Sequence, residues 1–107
     1  AMHKMHKLIF FVPFSHSEAV KEAIFATGAG KLGNYAKCAF ETQGTGQFLP
    51  LAGANPTLGE VNKLEKVEEL KIELLCPANL ISAAVEALKA SHPYEEPAYE
   101  VYKLESF

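Results

Sequence analysis

The sequence lacks the features that mark a membrane-spanning, secreted or nucleic-acid-binding protein. No apolar run approaches the roughly 20 residues that a membrane-spanning helix needs, and the start shows no signal-peptide pattern. Lys and Arg number 10 against 13 acidic residues, and this net charge of −3 argues against nucleic acid or an anionic membrane as partner. Only two cysteines are present, Cys38 and Cys76. Their scarcity favours a reduced, cytoplasmic protein, in which we expect both to be small buried hydrophobic residues.

What remains fits one globular domain over residues 1–107. The hydrophobic fraction of 49% and the charged fraction of 21% are ordinary for such a domain, and no linker or repeat divides the chain. Residues 1–6 are expected to be partly a tag remnant or disordered, because an alanine precedes the first methionine.

The first half of the chain predicts a strand, a helix and a second strand. The apolar run over residues 8–12 predicts a strand that needs burial on both faces. Ser15 and Glu18 have capping-box spacing, so a helix should begin there and end at Gly28 and Gly30. Residues 36–42 alternate as a half-buried strand, and residues 44–46 are predicted to turn the chain.

The second half predicts the same elements in the order strand, helix, strand. Residues 65–76 alternate as a long strand, with a bulge expected near Glu68 and Glu69 because Val67 has the wrong parity. A helix follows with apolar residues at helical spacing from Ile81 to Leu88, capped by Asn79 or the preceding turn. Pro93 should stop this helix before His92, and residues 99–104 form the last strand.

This order predicts an α+β, ferredoxin-like split βαβ fold: a four-stranded antiparallel sheet with both helices on one face. The first strand is apolar on both sides, yet two helices cover only one face of the sheet. The other face should therefore pack against another subunit, which predicts a homo-oligomer.

Three segments concentrate polar and conformationally special residues. They are the glycine-rich residues 28–35, the region 44–59 and the proline-flanked connector 92–97. The first is not a phosphate loop, because its glycines follow a helix rather than opening one. The candidate ligand-binding residues are Gly28, Gly30, Lys31, Gly33, Asn34, Tyr35, Gly44, Gly46, Asn55, His92, Tyr94, Glu95 and Glu96.

A divalent metal such as zinc or copper is an open alternative in the connector. Imidazole and carboxylate groups suit these ions, so His92, Glu95 and Glu96 are the candidate ligands. The competing interpretation is that His92 caps the helix end and that the glutamates are solvated. No nucleophile with its base is evident, since Ser15 and His16 are sequence neighbours.

Several of these motifs also resemble the YqfO (Nif-three-like) family. The matching stretches are GAGKLGNY at 28–35, Cys38, GTGQF at 44–48, GANP at 53–56, Gly59 and HPYEEPAY at 92–99. They are similar to the inserted domain of the longer members, here in stand-alone form, which is related to PII signalling proteins and to CutA. The longer members hold a paired-metal site in flanking domains and are sometimes labelled GTP cyclohydrolase homologues, a site that the insert does not contain.

The resemblance implies a PII/CutA-like trimer built through sheet contacts. Our leading hypothesis is an oligomeric ligand-binding or regulatory module without established catalysis, which holds an unidentified small ligand between subunits. The alternative is a divalent-metal-binding protein or a metal-dependent hydrolase.

Overall fold

A computed structural model describes residues 4–107 and has the predicted order of strands and helices. The strands are β1 (Met5–Pro13), β2 (Phe40–Phe48), β3 (Glu65–Pro77) and β4 (Tyr99–Lys103), and the helices are α1 (Ser17–Phe25) and α2 (Ile81–Ser91). The strands form one antiparallel sheet in the order β2-β3-β1-β4. The predicted ferredoxin-like split βαβ fold is confirmed. The expectation for residues 1–3 lies outside the described residues.

Both helices pack on one face of the sheet, and the core lies between them. Leu8, Phe10 and Val12 of β1 are fully buried, as the alternation in residues 8–12 predicts. They pack with residues of β3 and with the apolar stripes of both helices, including Val20, Ile24, Ile72, Leu74, Ala84 and Leu88. Burial of these side chains is the main stabilising contribution.

The opposite face of the sheet, the open face, is less apolar than predicted. Ile9 on this face is only 5% exposed, whereas Lys7 and Phe11 beside it are half-buried. Its cross-strand neighbours, however, are Glu73 on β3 and Glu100 on β4. Lys7 pairs with Glu73 at 3.9 Å. The open face therefore mixes apolar and charged side chains, because β3 and β4 alternate in polarity where β1 does not.

The predicted turn at residues 44–46 is wrong. Gly44 and Gly46 lie inside β2, paired with Glu69 and Val67 of β3. The chain becomes a strand only at Phe40, not at Ala36. Glycine usually weakens a strand, but at Gly46 the Glu69 carboxylate approaches the backbone closely, whereas the space beside Gly44 is open. The end of this hairpin extends beyond Pro13, the last residue of β1 to pair with β3, and we call residues 44–48 and 65–69 the arm.

The predicted bulge in β3 is also absent, since the pairing with β1 and β2 continues without interruption. Val67 and Glu69 simply belong to the open face, while Leu70 faces the helices. The apolar residues of β3 change from one face of the strand to the other at the arm. The helices do not cover the arm, and Lys66 and Glu68 are exposed there.

Neither predicted side-chain cap forms. Ser15 and Asn79 each lie in a short 3-10 turn, Phe14–His16 and Ala78–Leu80, that precedes its helix. No side-chain oxygen caps the first turn of either helix. Instead the Ser17 hydroxyl donates to the carbonyl of Phe14 at 2.9 Å. A turn thus leads into each helix in place of a capping box.

The two cysteines differ in their surroundings. Cys76 is fully buried in the core, where burial raises the pKa of its thiol, as expected for a small hydrophobic residue. Cys38 is only half-buried, just before β2, so the same expectation is wrong for it. Its backbone N–H donates to the carbonyl of Gly30 at 2.7 Å, and its thiol is otherwise at the surface.

Candidate functional site

A cleft of about 410 Å³ lies at one end of the open face. The arm, the loop that follows β2 and the connector between α2 and β4 enclose it. Its walls are largely apolar and include Phe11, Phe48, Leu49, Leu51, Leu58 and Ala98. Its polar lining includes Glu69, Tyr94, Glu95 and Glu96. A mostly apolar cavity with a few convergent polar groups has the composition of a small-molecule site.

His92 fixes the start of the connector. As predicted, α2 ends before it, and His92 is extended at φ −72° and ψ 139°. The side chain is 7% exposed. Its Nε2 lies 2.7 Å from the carbonyl oxygen of Phe11, and its Nδ1 accepts the Tyr94 N–H at 3.1 Å. These two bonds define a neutral imidazole that is protonated at Nε2.

The environment of His92 favours this neutral form. Burial lowers the pKa of His92, although the bond to Phe11 and the nearby Glu69 act in the opposite direction. Both ring nitrogens are engaged, so a metal at His92 would require one of the two bonds to break. Within residues 4–107, no group of three or more His, Cys, Asp or Glu side chains is placed to hold a metal ion.

Tyr94 continues the connector into the cleft. Its ring lies 5.0 Å from the His92 ring and 5.9 Å from the Phe48 ring, measured between centroids. Its hydroxyl is buried and meets no partner within residues 4–107 at the geometry of a formed hydrogen bond. Burial raises the pKa of Tyr94 to about 12, with a further contribution from the nearby Glu69 carboxylate. The hydroxyl is therefore a neutral donor inside the cleft.

Glu69 is a carboxylate at the base of the cleft, on the sheet itself. It is only 9% exposed. Its carboxylate lies close enough to the Tyr94 hydroxyl to contribute to the raised pKa of that tyrosine. Within the described residues it forms no ion pair. The carboxylate lies over Gly46, where a Cβ atom would collide with it. Gly46 thus leaves the space that the Glu69 carboxylate occupies.

The glutamates of the connector lie at the rim. Glu95 accepts the backbone N–H of Asn55 at 3.1 Å, which ties the long loop to the connector. Glu96 is exposed and lines the cleft beside it. The structure therefore brings the predicted residues Gly46, Asn55, Tyr94, Glu95 and Glu96 to one region.

Residues 28–35 lie elsewhere, near the other end of β3. The N–H of Gly30 donates to the carbonyl of Leu75 at 2.8 Å. Leu32 and Tyr35 exchange backbone hydrogen bonds of 2.9 and 3.0 Å. Lys31, Gly33, Asn34 and Tyr35 are exposed, and Gly28 packs near Leu80. Within one chain this loop does not reach the cleft. Gly44 lies in the arm but does not line the cleft.

Ser15 and His16 do contact each other, which the sequence argument did not expect. The Ser15 hydroxyl lies 2.9 Å from Nδ1 of His16. Both residues are exposed in the 3-10 turn before α1. No carboxylate of the described residues bonds His16 to orient it, so the contact is a local turn interaction.

Phe11, Glu69 and Ala98 line the cleft but lie outside the three segments that the sequence singled out. One signal for them was available. Gly44 and Gly46 are two residues apart, so both leave the same face of a strand without side chains. Glu69 itself looked like an ordinary solvated position in an alternating strand.

The fold of this domain is similar to that of CutA and of PII-like proteins. CutA1 from Ehrlichia chaffeensis superposes with a TM-score of 0.72 at 15% identity, covering 100% of this chain and 87% of that one. GlnK from Bacillus subtilis, solved as an ATP complex, gives a TM-score of 0.62 at 15% identity, with 95% and 84% covered. At these identities the likeness concerns the fold alone.

Proteins of similar sequence confirm the predicted resemblance to the YqfO (Nif-three-like) family. The protein named GTP cyclohydrolase 1 type 2 homolog of Halalkalibacterium halodurans is 48% identical over 100 residues, which are 94% of this chain and 27% of that protein. A Bacillus cereus protein related to NIF3 superposes with a TM-score of 0.83 at 42% identity, covering 97% of this chain and 26% of that one. No family model matches the chain. The chain thus spans about a quarter of the length of these NIF3-related homologues.

Proposed function

We propose that this chain is a ligand-binding or regulatory module that works as a homo-oligomer and does no chemistry of its own. The observation that supports the proposal best is the cleft, in which segments far apart in sequence meet around buried polar groups. Its volume of about 410 Å³ lies within the range of small-molecule sites. The connector, the loop after β2 and residues 44–48 of the arm belong to the segments that the sequence singled out, whereas residues 65–69 of the arm do not.

A metal-dependent hydrolase has weaker support. This function is suggested by the names of relatives of which the chain spans about a quarter. Function is decided by sites rather than by fold or name. In this chain His92 uses both ring nitrogens for backbone groups, and Glu95 holds Asn55.

Assembly is proposed through the open face and the sheet edges, with a trimer favoured. β2 and β4 are edge strands, whose outer backbone groups are free to pair. Phe40 on β2 is 68% exposed, and Tyr102 on β4 is 50% exposed. Both belong to the open face, by their pairing with Glu73 and Lys7. A neighbouring copy would cover them, and its residues 28–35 would then border the cleft.

The partners proposed are further copies of this chain and a small ligand, in the cytoplasm. The net charge of −3 supports neither nucleic acid nor an anionic membrane as partner. Within residues 4–107, no helix is long and apolar enough to span a membrane.

Two measurements test the proposal. Sedimentation equilibrium at micromolar concentration is expected to give three times the mass of the chain, and a monomer would contradict the assembly. A thermal-shift and calorimetric panel of nucleotides, divalent metals, organic cations and organic anions is expected to find saturable binding. Nucleotides belong in it because GlnK was solved with ATP. Stoichiometric metal with turnover that His92→Ala abolishes would instead support the hydrolase.

A further inference from the structure

We propose that the cleft binds a small organic cation, a primary amine or guanidinium on an apolar body, with the Glu69 carboxylate as its counter-ion. The inference rests on the proposed ligand-binding function and names the chemical class of the ligand.

Glu69 has no cationic partner within the described residues. The residue is 9% exposed, and the polar group that acts on its carboxylate is the uncharged Tyr94 hydroxyl. A carboxylate removed from water is costly unless a positive charge or hydrogen-bond donors compensate it. The cleft is the side from which a compensating group can reach it, because Glu69 lines the cleft. An ammonium or guanidinium group supplies both the charge and the donors.

The charged side chains around the cleft indicate the sign of the charge on its ligand. Glu69, Glu95 and Glu96 line the cleft, and among residues 4–107 no Lys, Arg or His does. The Tyr94 hydroxyl is neutral at physiological pH and adds no positive charge. A phosphate or carboxylate ligand would therefore meet only like charges. The cleft selects for a cation and against an anion.

The lining of the cleft favours an organic cation over a metal ion. The walls are mostly apolar side chains, among them Phe11, Phe48 and Leu51. No metal-holding group of three or more His, Cys, Asp or Glu side chains exists within residues 4–107. A bare ion would leave the apolar walls of a cavity of about 410 Å³ without contacts. An apolar body buries against these walls while its charged end reaches Glu69.

Isothermal calorimetry with three matched probes tests the proposal. Phenethylamine carries the charge, phenylethanol is its neutral counterpart, and phenylacetate is an anion of similar shape. We expect phenethylamine to bind best and phenylacetate not at all. Glu69→Gln should weaken phenethylamine about 10- to 100-fold, the range of a hydrogen bond to a charged group, and leave phenylethanol unchanged. Glu86→Gln, an equal charge change on the exposed side of α2, should alter neither.

A second pair of variants moves the carboxylate without removing it. Gly46→Ala places a methyl group where the Glu69 carboxylate lies, so the flexible side chain must shift. Gly44→Ala adds the same methyl group to the same face of β2, where nothing lies within 4 Å. We expect Gly46→Ala to weaken phenethylamine severalfold and Gly44→Ala to leave its affinity unchanged. Both should fold, because the atom displaced by Gly46→Ala ends a flexible chain.

The outcomes distinguish this inference from the proposed function. Equal affinity for phenethylamine and phenylethanol, or tighter binding of phenylacetate or ATP, overturns the organic cation but leaves a ligand-binding module. Binding of no probe and no member of the wider panel overturns both. If Glu69→Gln changes the oligomer mass and not the phenethylamine affinity, a neighbouring copy supplies the counter-charge, and the inference is wrong.

Discussion

Replacing His92 by alanine is expected to lower the free energy of unfolding by about 2–4 kcal/mol. The side chain is buried and bridges β1 to the connector through the carbonyl of Phe11 and the N–H of Tyr94. Its removal breaks both bonds and leaves two backbone groups without these partners in a mostly buried place. Urea denaturation of the two proteins at pH 8 measures the difference.

The same residue should make stability depend on pH. In the unfolded chain His92 takes up its proton near the ordinary pKa of 6.5, whereas burial lowers the pKa in the folded chain. The unfolded state therefore binds the proton first as the pH falls. The His92 contribution to stability is fully present above pH 6.5 and is lost as the pH drops toward the folded pKa. His92→Ala should remove this part of the pH dependence.

His16→Ala is the control for this variant. His16 is an exposed histidine whose ring bonds only its neighbour Ser15, so we expect a change within about 0.5 kcal/mol. Equal effects of His16→Ala and His92→Ala, or an unchanged slope of stability against pH in His92→Ala, would contradict the assigned hydrogen bonds.

Replacing Gly30 by alanine is expected to destabilise the protein by about 2–4 kcal/mol. Gly30 is buried, with φ +82°, a conformation that side chains rarely adopt. A Cβ atom there would lie 2.7 Å from the Phe25 ring and 3.3 Å from the carbonyl oxygen of Cys38. The cost of the collision should add to the cost of the backbone strain. The Cys38 carbonyl belongs to the backbone that leads into β2, so it cannot move aside as a side chain can.

Gly33→Ala separates the cost of the backbone strain from the cost of the steric collision. Gly33 also has a positive φ of +56°, but nothing lies within 4 Å of its added Cβ atom. Only the backbone strain should appear, about 1–2 kcal/mol. Thermal denaturation of both variants measures the difference, and a Gly30→Ala protein as stable as Gly33→Ala would show that the loop yields more easily than its packing implies.

The fold could be predicted because local pattern and tertiary packing agree along most of the chain. The run at residues 8–12 and the stripes of α1 and α2 indicate the type of each element and the side that faces the core. Proline residues near the ends of helices and strands limit their length. Pro93, for example, makes α2 end before His92. The absence of side-chain caps at Ser15 and Asn79 could not be predicted, since a 3-10 turn competes with a side-chain cap and the two leave the same sequence signature.

The arm was misread because glycine has several roles. Gly44 and Gly46 fit a turn when only neighbours in sequence are considered. In the structure, the missing side chain of Gly46 leaves room for the carboxylate of Glu69, a residue distant in sequence. This contact depends on the register between β2 and β3. Nothing local to either residue encodes that register.

The cleft was predicted in part for a similar reason. Composition singled out the loop after β2 and the connector, which do meet through Asn55 and Glu95. Glu69 was missed because burial of a carboxylate is a tertiary property. The placement of residues 28–35 beside a ligand depends on a neighbouring copy and stays a prediction.

An NMR titration of the labelled protein with phenethylamine tests the central claim most directly. The account predicts that amide shifts of Gly46, Glu69, Tyr94 and Glu95 move together and saturate, and that they stay still in Glu69→Gln at the same concentrations. Shifts that avoid these residues, or that persist unchanged in Glu69→Gln, would contradict it.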